Sequence, residues 1–144
     1  MGIALFDTNV IIDYTKKRLP ALAELTYYED GAISAITWME AGCTMTPQQL
    51  AVFESSLADA HIKVIPVSDV IMRRARARRY DALKEQKAGT GRKVPLPDCI
   101  IGATAEIERR LLVTCNAADF KGLKLRIPYI NTGGVITDVQ PPPV

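Results

Sequence analysis

The feature that most restricts the fold is a set of short, continuously apolar runs, each separated from the next by stretches of helical periodicity. Ile3-Ala4-Leu5-Phe6, Ala32-Ile33-Ser34-Ala35, residues 62–67 and Leu111-Leu112-Val113-Thr114 are mostly apolar at successive positions rather than at every second one, with Lys63, Ser34 and Thr114 as the polar members. A strand with one wet face alternates, whereas a strand apolar throughout is covered on both faces, as in a parallel sheet between helical layers. Between these runs the periodicity predicts helices over residues 10–17, 19–28, 37–44, 47–60, 69–86 and 98–109, with a last short strand around Tyr129 and Ile130. Pro47 suits a first helical turn, and Pro66 makes the third strand short or places it at an edge. The expected fold is α/β: a three-layer sandwich with a central, mainly parallel sheet of about four to five strands flanked by helices.

A chain of 144 residues has room for one such domain. Residues 1–138 are expected to form it. Residues 139–144 are expected to be a flexible tail, since Pro141-Pro142-Pro143 lack backbone donors and lie at the terminus. The balance of 48% hydrophobic and 24% charged residues excludes disordered and membrane classes. Cys43, Cys99 and Cys115 are odd in number and far apart, so neither a disulfide framework nor a C-x-x-C site is expected. No run approaches the roughly 20 apolar residues that span a bilayer. The opening residues lack the basic flank and long apolar core of a signal peptide. Phe6 stands where the myristoylation pattern wants Ser or Thr. A soluble, cytoplasmic protein without a membrane association is the expectation.

Charge is small in sum, at +2, but uneven. Residues 71–93 hold Arg73, Arg74, Arg76, Arg78, Arg79, Lys84, Lys87, Arg92 and Lys93 against only Asp81 and Glu85. On a helix these arginines point in several directions, so some are expected on solvent and some against acids elsewhere. One reading is a solvated helix. The sharper one is a phosphate-contacting surface formed by Arg73, Arg74, Arg76, Arg78, Arg79, Arg92 and Lys93, whose affinity would fall steeply with salt. Tyr80 on this helix can stack on a base or simply lie half-buried. Residues 87–93, rich in Gly and charge, read as a mobile loop.

The acids carry the chemistry. Asp7 follows the first strand, Glu40 lies just beyond the second, Asp98 opens the helix before the fourth, and Asn116 and Asp119 follow the fourth. In an open parallel sheet these positions fall at the carboxyl end, where ligands bind. Carboxylates gathered there repel one another unless a cation neutralises them, and hard oxygen donors favour Mg²⁺ or Mn²⁺ over zinc. Each acid also has a plain structural reading: Asp7 and Asp98 as helix caps, and Glu40 as the far half of a capping box begun by Thr37. His61, at a helix-to-strand turn, reads as structural.

Four segments in order resemble the PIN-domain family. They are Leu5-Phe6-Asp7-Thr8-Asn9-Val10-Ile11-Ile12-Asp13, Ile33 through Glu40, Asp98 through Ala105, and Leu112-Val113-Thr114-Cys115-Asn116-Ala117-Ala118-Asp119-Phe120. Together they cover nearly the whole chain, and the likeness is greatest to the VapC-type toxins of type II (VapBC) toxin–antitoxin systems. Trp38-Met39, Gly42-Cys43 and Cys99 depart from the usual residues and leave the acids intact. The resemblance implies a PIN-like fold and a toxin acting as a Mg²⁺- or Mn²⁺-dependent endoribonuclease that hydrolyses RNA with a metal-activated water. It implies Asp7, Glu40, Asp98 and Asp119 as catalytic residues, Asp7 and Asp98 as direct metal ligands, and Thr8, Asn9 and Asn116 in support. Whether Asn116 or Asp119 fills the fourth acidic position stays open. It also implies a VapB-like antitoxin partner, an RNA substrate and a homodimer. The rivals are a non-catalytic RNA-binding module of the same fold and a phosphatase of the haloacid dehalogenase type, which needs a second aspartate where Asn9 stands.

Overall fold

A computed structural model describes residues 2–144. Five strands form one wholly parallel sheet: β1 (Ile3–Phe6), β2 (Asp30–Ser34), β3 (Ile62–Ile65), β4 (Leu111–Val113) and β5 (Leu125–Arg126), in the spatial order β3-β2-β1-β4-β5. The helices are α1 (Thr8–Thr15), α2 (Leu19–Leu25), α3 (Ala35–Gly42), α4 (Pro47–Asp59), α5 (Asp69–Lys87) and α6 (Leu96–Ile107). From the central β1 the chain steps outward through β2 and β3, then returns to the other side of β1 with β4. Strand order therefore reverses between β1 and β4, and a crevice opens at their carboxyl ends.

The continuous apolar runs are explained by two cores, one on each face of the sheet. Ala4, Phe6, Ile33 and Val113 pack with Val10, Ile11, Leu25, Phe53 and Leu57, whereas Leu5, Ala32 and Leu112 pack with Ile71, Ala75, Ile101 and Phe120. Neighbouring residues of one strand thus enter different cores, and neither face can be polar. Where β2 lies between β1 and β3, a Cβ on Gly31 would stand 2.5 Å from Ile62 Cδ1 and 2.9 Å from Phe6 Cε2, so a larger residue would require those side chains to shift.

Two ion pairs fasten the layers, one largely buried and one with an exposed carboxylate. Arg126 on β5 donates to both oxygens of Glu24 on α2, at 2.7 and 3.0 Å, and Tyr28 donates to the same carboxylate at 2.6 Å. At the opposite end of the strands Arg110 bonds the Asp30 carboxylate and the carbonyls of Ala4 and Asp30.

Several expectations are corrected at element ends. Ser34, not Thr37, caps α3, its Oγ accepting from the Ile36 amide at 3.2 Å. The capping box is formed instead by Thr46 and Gln49 on α4. α6 starts at Leu96, which puts Asp98 inside its first turn rather than at its cap. The strand expected near Tyr129 is β6 (Ile130–Thr132), which pairs antiparallel with β7 (Val135–Thr137) in a separate hairpin. Its turn is Gly133-Gly134, both at positive φ (59° and 95°), the conformation tight hairpins demand. Beyond it, Arg126 donates to the Pro141 carbonyl at 2.8 Å.

Candidate active site

Asp7 is the first residue past β1, and β1 pairs with β4 so that Phe6 faces Val113. That register sets Asp7 beside Thr114. The Asp7 carboxylate does two things at once. Its Oδ1 caps α1 by accepting from the Thr8 amide at 2.7 Å, while Oδ2 accepts from Thr114 Oγ1 at 2.7 Å and Asn9 Nδ2 at 3.2 Å. Capping is therefore real, yet it engages only one oxygen.

Glu40 rises from α3 and accepts from Thr8 Oγ1 at 2.8 Å, and Thr8 also meets the buried Thr37 hydroxyl at 3.1 Å. Thr8 thereby links the first acid to the second. Asn9 Oδ1 accepts from the Cys115 amide at 3.3 Å, tying α1 to the segment after β4. On that segment Asn116 Nδ2 donates to Asp119 Oδ2 at 2.7 Å, so the amide orients the carboxylate. Thr114 Oγ1 accepts from the Asn116 amide at 2.9 Å while donating to Asp7, and it was not singled out from the sequence.

The four acids lie near enough for their charges to act on one another. Asp98 is pushed from 3.8 up to about 8, first by burial, next by a hydrogen bond with Asp119, and then by the charges of Asp7, Asp119 and Glu40. Asp7 is also raised, chiefly by burial, against the lowering pull of Thr114 and the Thr8 amide and with further upward pressure from Glu40 and Asp119. Carboxylates held apart from water and facing one another are costly to ionise without a counter-ion. The Oδ1 atom of Asp119 is buried and lacks a hydrogen-bond partner.

These residues suit a divalent cation. Burial raises the Cys99 and Cys115 thiols, the latter to about 11, leaving carboxylate oxygens as the donors and making the set hard. Among the described residues, no group of three or more His, Cys, Asp or Glu side chains is gathered tightly enough to hold a metal by itself. A pair of carboxylates completed by water is the arrangement Mg²⁺ favours.

The basic residues are divided. Arg74 and Arg78 pair with Glu106 on α6, and Arg78 also donates to the Lys121 carbonyl at 3.1 Å. Arg79 donates to the Val94 carbonyl. Arg73 pairs with Asp69 one turn earlier, at an exposed site, and Arg76 lies over the exposed Tyr80 ring. Arg92 approaches Asp119, and Lys93 is exposed on the same loop. Arg74, Arg78 and Arg79 thus support the fold, while Arg73, Arg76, Arg92 and Lys93 remain available at the surface.

The chain is thus a parallel α/β domain whose acids border the crevice at its strand-order reversal. The PIN domain family model matches residues 4–124, and the chain belongs to that family. PIN domains are generally nucleases that use divalent metal ions. A chain of a toxin–antitoxin complex from Klebsiella pneumoniae is 33% identical, with 88% of this chain and 98% of that chain covered and a TM-score of 0.69. The DNA-bound VapBC from Salmonella typhimurium (22% identity, 88% and 98% covered, TM-score 0.68) and VapBC-1 from nontypeable Haemophilus influenzae (24%, 86% and 96%, 0.66) share the fold. No curated protein matches the sequence. With Asn9 where a phosphatase of the haloacid dehalogenase type needs aspartate, and with PIN membership established, that rival falls away. Among the described residues no helix is long and apolar enough to cross a membrane.

Proposed function

We propose that this protein is the VapC-type toxin of a toxin–antitoxin pair and acts as a Mg²⁺- or Mn²⁺-dependent endoribonuclease. The observation that carries the reading is the meeting of Asp7, Glu40, Asp98 and Asp119, from separate elements, at the carboxyl end of the sheet, with Asp98 raised to about 8 by burial and its neighbours. The 33% likeness to a chain of a toxin–antitoxin complex favours the toxin assignment.

Asp7 and Asp98 are assigned as the cation's protein ligands, with Glu40 and Asp119 completing the anionic pocket. Bound there, Mg²⁺ or Mn²⁺ supplies Lewis-acid assistance to phosphodiester hydrolysis. The chain's own residues prepare the site. Thr114 and Asn9 fix the free oxygen of Asp7, Thr8 aims Glu40, and Asn116 aims Asp119. The N-terminus of α6 favours a negative charge at Asp98 once a cation offsets the neighbouring acids. Arg73, Arg76, Arg92 and Lys93 are positioned for RNA phosphates, with the inward Arg74, Arg78 and Arg79 shaping that surface.

The same reading includes a VapB-like antitoxin, a homodimer and a cytoplasmic setting that suits the unbridged Cys43, Cys99 and Cys115. It also takes residues 1–138 as the domain and 139–144 as its tail. The test is cleavage of a structured RNA panel by antitoxin-free protein with Mg²⁺ or Mn²⁺, with chelator, and with folded Asp98→Asn. Loss of cleavage in the last two supports the site. Cleavage indifferent to both refutes it, and Asp98-dependent metal binding without cleavage of any RNA points to a binding module.

A further inference from the structure

The segment between α5 and α6 is tethered at both ends and free in the middle. The Thr90 amide donates to the Glu85 carbonyl at 2.9 Å, and Gly91 packs so closely on Glu85 that a Cβ would stand 2.8 Å from that residue's Cβ. At the far end Arg79 holds the Val94 carbonyl. Only Arg92 and Lys93 lie between these anchors.

Arg92 crosses from this segment to the active site, its Nε standing 3.2 Å from Asp119 Oδ1. The two partners are unlike: the Arg92 side chain is 60% exposed, the Asp119 side chain 3%. The contact also falls short of a hydrogen bond, since Oδ1 has no hydrogen-bond partner. A structural brace looks different here, as the buried, two-pronged Glu24–Arg126 pair shows. Among the described residues, Arg92 is the one cation paired with any of the four acids. Beside it lies a cavity of about 180 Å³ bordered by Arg78, Glu85, Arg92, Cys99 and Lys121, which gives the guanidinium room to move.

We propose that Arg92 is an intramolecular latch on the active site: its guanidinium stands in for the divalent cation at Asp119 and is expelled when the cation loads. The idea rests on the nuclease reading. Two cations drawn to one group of acids repel, and the monodentate, exposed partner is the one that leaves. The 92–93 span then moves outward and releases a positive group toward the phosphate-bearing substrate. Arg92 is on this account a positioning residue that opposes metal binding.

The test is calorimetric titration of antitoxin-free protein with Mn²⁺, using wild type, Arg92→Gln, Lys87→Gln and Asp98→Asn, each verified as folded by circular dichroism. Arg92→Gln is expected to bind Mn²⁺ about fivefold more tightly, the equivalent of one surface ion pair at the upper end of its range. Lys87→Gln removes the same charge from the last residue of α5, just before the segment, and is expected to bind like wild type. Mn²⁺ should also speed tryptic cleavage after Arg92 relative to cleavage after Lys87. Asp98-dependent Mn²⁺ binding that is unchanged or weaker in Arg92→Gln overturns the latch and leaves the nuclease site standing, as does cleavage after Arg92 that ignores Mn²⁺. Equal tightening in Lys87→Gln overturns it too, because net charge then suffices. Mn²⁺ binding that survives Asp98→Asn overturns the proposed metal site itself, and the latch with it.

Discussion

Replacing Asp98 by asparagine should make the metal-free protein more stable while ending its metal-dependent chemistry. The Asp98 carboxyl is raised from 3.8 to about 8 by burial, by its hydrogen bond with Asp119 and by the charges of Asp7, Asp119 and Glu40. Native protein therefore holds a proton that the unfolded chain has released, between pH 3.8 and about 8. Stability falls as pH rises across that window, because the native state binds the extra proton. At about 1.4 kcal/mol per unit, a fully shielded group would lose about 6 kcal/mol. Asp98 is half-buried, so solvent screening reduces this to roughly a third, about 2 kcal/mol. Asparagine keeps the shape and never ionises. For a domain of this size the gain corresponds to a rise of about 6 °C in Tm. The assay is thermal unfolding with chelator at pH 5 and pH 9. Asp98→Asn should melt higher at pH 9, with a clearly smaller gain at pH 5, and added Mn²⁺ should stabilise wild type but not the variant. An Asp98→Asn protein that melts below wild type at pH 9, or gains equally at both pH values, would refute the reasoning.

Other outcomes follow from the same contacts. Thr114→Val removes a donor that lowers the Asp7 pKa, so the acid limb of the activity–pH profile should move to higher pH, with activity falling about tenfold to a hundredfold. An unmoved acid limb would contradict this. Glu24→Ala leaves the mostly covered Arg126 with only the Pro141 carbonyl and should cost about 3 kcal/mol in urea unfolding, with loss of less than 1 kcal/mol ruling out a structural role for the pair. Joint Arg73→Gln and Arg76→Gln substitution should weaken RNA binding similarly across sequences and flatten its salt dependence by about one to two counterions; an unchanged slope would remove these residues from the interface.

The parallel sheet was legible because its strands are buried on both faces, which leaves an unbroken apolar record in Ile3–Phe6 and Leu111–Val113. Each candidate acid follows or borders such a run, and the common direction of the parallel strands puts those positions at one end of the sheet. Thr114 was hidden because its bond to Asp7 depends on the β1–β4 register, which pairs residues more than a hundred positions apart. Strand β5 has only two residues, too few for a periodicity, while Gly133-Gly134 is a hairpin signal in the sequence itself. Thr37 and Glu40 fit a capping box by spacing, whereas Ser34 captures the helix start and frees Glu40 to meet Thr8. The charge run could not reveal which arginines turn inward, because Glu106, the partner of Arg74 and Arg78, lies on a different helix.

If Asp7 and Asp98 hold the catalytic cation, anomalous diffraction from crystals soaked in Mn²⁺ must reveal it between them. A Mn²⁺ peak within coordination distance of both carboxylates, lost in Asp98→Asn crystals, is the predicted result. Saturating Mn²⁺ that leaves no peak there, or a peak that persists in Asp98→Asn, would contradict the account.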